Sequence, residues 1–94
     1  MTESKEGGSL FKWDHLRYEV ALDCIGAVIS HQAAIIAREQ AKDAPDEAVI
    51  ANAVAEERRL ADLRDDLSPS DSDAISDIIT TYGEQAKALL EAGK

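Results

Sequence analysis

Apolar and polar positions along the chain recur with a helical period, broken by two short polar segments, so the pattern predicts three helices. The third is the plainest. Ile75, Ile78, Ile79, Tyr82, Ala86, Leu89 and Leu90 fall on one stripe, with Asp77, Thr80, Glu84, Lys87 and Glu91 opposite. It is expected over 71–92, with Gly93 as its stop. The second helix, 46–66, carries Val49, Ala53, Leu60, Leu63 and Leu67 as its seam, with Ile50, Val54 and Ala61 beside it. Glu57 and Arg64 border that seam, either as a solvated flank or as a charged pair that fixes register or partner choice. Pro45 suits the first helical position, with Asp46 and Glu47 in the first turn. In the break LSPSDSD, Ser68 and Ser70 each precede an Asp by three, a helix-start signature.

The first helix, 13–42, has a different pattern. Tyr18, Leu22, Ile25, Ile29 and Ile36 form one line; Val20, Cys24, Val28, His31 and Ile35 form another, roughly 100° or more around the axis. Only a narrow arc through Glu19, Asp23 and Ser30 is polar, and the run CIGAVISHQAAIIA has no charge at all. A helix apolar over so wide an arc must be covered on most sides. At about 1.5 Å per residue it is about 45 Å long, against about 30 Å for its neighbours, which therefore cannot cover it. The expected fold is all-α: a three-helix hairpin-type bundle completed by dimerisation through the long first helix. Val20, Cys24, Val28, His31 and Ile35 are the expected oligomer interface. Residues 1–9 read as a disordered polar tail and 10–94 as a single helical domain.

Composition strengthens the case for self-association. Sixteen of the hydrophobic residues are Ala and only 4% of the chain is aromatic, so one copy builds a thin core. The single cysteine, Cys24, leaves no internal disulfide and fits a reducing compartment. The first residues lack the apolar core of a secretory signal. The chargeless run falls short of the roughly 20 residues a membrane span needs. A cytoplasmic protein without membrane contact is expected.

Charge narrows the partners. The net charge is -9, and Asp65 to Glu84 hold six acids with no Lys or Arg. Such a chain repels phosphates, so direct nucleic-acid binding is not expected, whereas a basic protein partner is. The candidate partner surface is Asp62, Asp65, Asp66, Asp71, Asp73 and Asp77.

No residue set carries a reaction. Cys24 and His31 share a helix face, but a closed zinc site needs four ligands and the other histidine, His15, is far upstream. The run from Asp66 to Asp77 mimics a calcium loop, yet Asp71 stands where Gly should be and Asp77 where Glu should be. Arg59–Asp62 and Arg58–Asp62 have ion-pair spacing on a solvated face. FKWDHLRYE, with Phe11, Trp13 and Tyr18, is either a staple closing one end of the bundle or an anchor for a partner. No cofactor and no enzymatic activity are expected. The expectation is a non-enzymatic acidic interaction or assembly module that forms a homodimer. The alternative is an acidic inhibitor, a nucleic-acid mimic of antitoxin-like or anti-restriction-like kind that blocks a basic nucleic-acid-binding protein.

Overall fold

Local chemistry sets the helix ends. With no proline before Pro45, nothing forces a break, and a computed structural model gives one continuous first helix, α1, Thr2–Gln40. The model describes the backbone of residues 2–92 and the side chains from His15 to Ala92. The helical backbone thus starts well before Trp13 and includes most of the segment expected as a disordered tail. The proposed aromatic staple of Phe11 and Trp13, and the Gly93 stop, lie outside the described residues.

The second helix, α2, is Glu47–Asp66 and the third, α3, is Ser72–Ala92; no strand occurs among the described residues. Asp46 caps α2, its carboxylate accepting from the N–H groups of Ala48 at 3.0 Å and Val49 at 3.4 Å. Pro45 therefore sits one residue before the cap rather than at the first helical position. Asp71 caps α3 by accepting from the Ala74 N–H at 3.1 Å. Ser68 instead accepts from the Ser70 N–H at 3.3 Å, so it shapes the turn and does not start the helix. The turn between α1 and α2 is closed by Glu39. This buried carboxylate accepts the Asp46 N–H at 2.9 Å and pairs with Lys42 at 2.9 Å.

α1 packs against both other helices, while the backbones of α2 and α3 stay apart. α2 folds back antiparallel to α1. α3 begins beside Arg17, whose guanidinium donates to Ser72 at 3.3 Å and to Ser76, and it then runs parallel to α1. The result is a flat, elongated body measuring 66 × 29 × 16 Å. Its radius of gyration is 17.1 Å, where a compact chain of this length would have about 12 Å.

The core consists of Ala21, Ile25 and Val28 from α1, Leu60 and Leu67 from α2 and its cap, and Ile75 and Ile78 from α3. Tyr18, Leu22, Ile29, Leu63, Ile79, Tyr82 and Leu89 pack around it. The buried arc of α1 lies between the two apolar lines of the sequence and is centred near Ala21, which is completely buried. A small side chain there leaves room for the branched ones around it. Each fully buried Leu or Ile contributes about 1.5–3 kcal/mol, and only Ile25, Leu60 and Ile75 of the large side chains are buried so completely.

Candidate interaction surface

The side of α1 turned away from its core is built from small and polar residues. Asp23, Gly26, Ala27 and Ser30 lie there, and α3 approaches one edge of it with Leu89 and Leu90. A shallow open groove runs between them, with Leu22, Gly26, Ala27 and His31 also in its lining. A second groove continues along the α1–α3 junction, lined by Val20, Asp23, Cys24, Gly83, Ala86 and Leu90, with Lys87 and Glu91 at its rim. Both share Asp23 and Leu90. Leu90 is 59% exposed although it belongs to the α3 apolar stripe, and Leu16 and Val20 on α1 are also exposed.

The expected oligomer interface divides on folding. Cys24 and Val28 are buried within the chain itself. The second apolar line of α1 leans toward the core, because the buried arc falls between the two lines. His31 and Ile35 are half-buried, and Val20 alone of the five is exposed. Burial and the neighbouring Asp23 carboxylate push the Cys24 thiol above its usual pKa.

The six acids of the expected partner surface lie around the α2–α3 turn, beside Arg17 of α1. Asp62, Asp65 and Asp66 end α2, Asp71, Asp73 and Asp77 begin α3, and all six are exposed. Asp71 is occupied as the α3 cap. Arg17 from α1 stands beside this turn through its bonds to Ser72 and Ser76, so the acids are less isolated from positive charge than their sequence suggests. Neither ion pair expected at Asp62 forms. Arg59 pairs with Glu56 and donates to the Tyr82 hydroxyl at 2.9 Å, which raises the guanidinium pKa and lowers that of Glu56.

Among the described residues, no three His, Cys, Asp or Glu side chains converge as a metal site would require. By length and composition, the stretch His15–Gln40 is long and apolar enough to cross a membrane. The chargeless run is shorter because it begins after Asp23, the one charge that interrupts the apolar stretch from Val20 to Ala37. Within the chain, Ala21, Cys24, Ile25 and Val28 of that stretch are buried, and Leu22, Ile29, Ile35 and Ile36 are half-buried. No known family, curated protein or solved structure matches the chain.

The surface that sequence reasoning missed is the Asp23–Gly26–Ser30 side. Its signal was present in the small residues at four-residue spacing, Gly26, Ser30 and Ala34, which let helices approach closely. The narrow polar arc through Asp23 and Ser30 lies on the same side.

Proposed function

We propose that the chain is a non-enzymatic acidic helical module whose role is assembly, and that it acts as a homodimer paired through the uncovered side of α1. The observation that carries this reading is the outer side of α1: an apolar stretch of bilayer length on which Leu16, Val20, Asp23 and Ser30 stay exposed and Gly26 and Ala27 are only half-buried in their own chain. The surface area agrees. The chain exposes 6725 Å², whereas a compact monomer of this mass exposes about 5,300 Å². Part of the excess belongs to the length of α1 itself.

A second copy suits this surface better than a lipid bilayer. One side of the same stretch is already packed against α2 and α3, which carry charged outer faces, and its open side bears Glu19, Asp23, Ser30 and His31. Each charge costs several kcal/mol in hydrocarbon. Cytoplasmic residence is part of the proposal, and the buried free thiol of Cys24 suits a reducing compartment. Sedimentation equilibrium is the direct test. A folded protein that remains monomeric at about 100 μM, weaker than any stable specific dimer, overturns the reading.

The acidic-inhibitor reading keeps one specific observation in its favour. Five of the six exposed Asp residues at the α2–α3 turn accept no hydrogen bond from a described residue, leaving an accessible negative end. Competition with DNA for a basic DNA-binding protein tests it.

A further inference from the structure

Gly26 lies in the interior of a 39-residue helix, where glycine costs about 1 kcal/mol relative to alanine. Nothing among the described residues calls for it. Its backbone has no positive φ, and a Cβ built there meets no atom within 4 Å. Gly83, the interior glycine of α3, is nearly as free: its Cβ would meet only Ile79 Cγ2, at an ordinary 3.8 Å. Both glycines line the grooves that meet at Asp23 and Leu90. Two helix-weakening residues therefore open onto the same side of the molecule without serving the fold of a single copy.

Resting on the homodimer reading above, we infer that α1 of a second copy crosses α1 at Gly26, in a two-fold contact that seats Leu90 and Val20 of each chain against its partner. The missing side chain at Gly26, with Ala27 and Ser30 beside it, lets two helix backbones approach more closely than larger residues permit. A two-fold contact also requires a self-complementary patch. This one brings Lys87 together with Asp23 and Glu91 in the lining of one groove, and Lys87 makes no ion pair among the described residues. Across a two-fold axis, the Lys87 ammonium of each chain has an acid of its partner to meet. The bare Leu90 side chain then enters the partner's groove instead of water.

The test separates the face from the dimer. Wild type is compared by sedimentation velocity with Gly26→Leu, Leu90→Asp and, on the outer surface of α2, the control Ala55→Leu. Gly26→Leu should keep full helicity, because its site is open within the chain and leucine is the better helix former. Gly26→Ala serves as a second variant with the least bulk and the same gain in propensity. The expected result is that Gly26→Leu and Leu90→Asp raise the dimer dissociation constant at least about tenfold by overpacking and by charge burial, while Ala55→Leu leaves it unchanged. In a Cys24→Ala background, Ser30→Cys should form a disulfide-linked dimer on oxidation. A wild-type dimer that withstands both Gly26→Leu and Leu90→Asp and gives no Ser30→Cys cross-link overturns the proposed face and leaves the homodimer reading standing. A monomeric wild type overturns both.

Discussion

The guanidinium of Arg59 on α2 donates to the phenolic oxygen of Tyr82 on α3 at 2.9 Å, while Glu56 holds the same guanidinium from the other side. Among the described residues this is the one polar bond between α2 and α3, whose backbones do not touch. The two helices are therefore joined through α1, their shared apolar side chains and this single span. Tyr82→Phe should lower stability by about 0.5–1 kcal/mol, the usual net worth of a hydrogen bond, and at the low end because Arg59 is exposed. In an Arg59→Met background the same substitution should have almost no effect. Urea denaturation of the four proteins of this double-mutant cycle measures the coupling.

Core truncation should divide α2 sharply along its own seam. Leu60 is completely buried, whereas Val49, assigned by periodicity to the same seam, is 36% exposed. Leu60→Ala should cost about 2–5 kcal/mol, a large part of the stability of so small a domain. Val49→Ala should stay within about 0.5 kcal/mol, as surface changes do. Thermal melts of both variants, followed by circular dichroism, distinguish them; equal losses would mean that Val49 is covered in solution.

The turn between α1 and α2 depends on a carboxylate in its ionised form. Accepting the Asp46 N–H and pairing with Lys42 hold Glu39 below the usual Glu pKa. A carboxyl lowered on folding contributes stability that is fully present above its unfolded pKa of about 4.3 and is lost as the pH falls through its lower folded value. Wild type should therefore lose stability below about pH 4 more steeply than Glu39→Gln. Urea midpoints measured at neutral and acid pH give the comparison, and parallel pH profiles would show that Glu39 does not contribute.

The sequence made the three helices readable because their stripes and breaks are local signals. The α3 stripe placed Ile75, Ile78 and Ala86 inside, where the structure buries them. α1 was harder because it is apolar on two lines, and periodicity alone does not say which arc two neighbours will cover. The structure covers the arc between the lines, around Ala21, so Cys24 and Val28 become core and the small-residue side is left open. Long-range bonds were equally hidden. Nothing in the spacing of Arg17 and Ser76, or of Arg59 and Tyr82, shows that a fold brings them together. Gly26 was legible as an oddity, but its meaning depends on knowing that no part of its own chain lies against it.

The last prediction separates assembly from electrostatic capture. Replacing Asp65, Asp66, Asp71 and Asp73 by Asn removes four negative charges from the α2–α3 turn with little change in size. Asn still caps a helix, so α3 should keep its start despite the loss of the Asp71 carboxylate. Asp65 and Asp66 stand at the negative end of the α2 dipole, and neutralising them relieves a repulsion there. Helicity should therefore hold. If the uncovered side of α1 is the assembly surface, self-association of this variant should match wild type within about twofold. It should also change little between about 0.1 M and 1 M salt, although the screening length shrinks from about 10 Å to about 3 Å. If instead the acidic end recruits basic proteins, competition with DNA for a basic DNA-binding protein should fall by at least about tenfold in the variant and weaken steeply with salt in wild type. Sedimentation velocity at both salt concentrations reads the first outcome and the competition assay the second. A variant that loses self-association while remaining helical would move the assembly surface from α1 to the acidic turn.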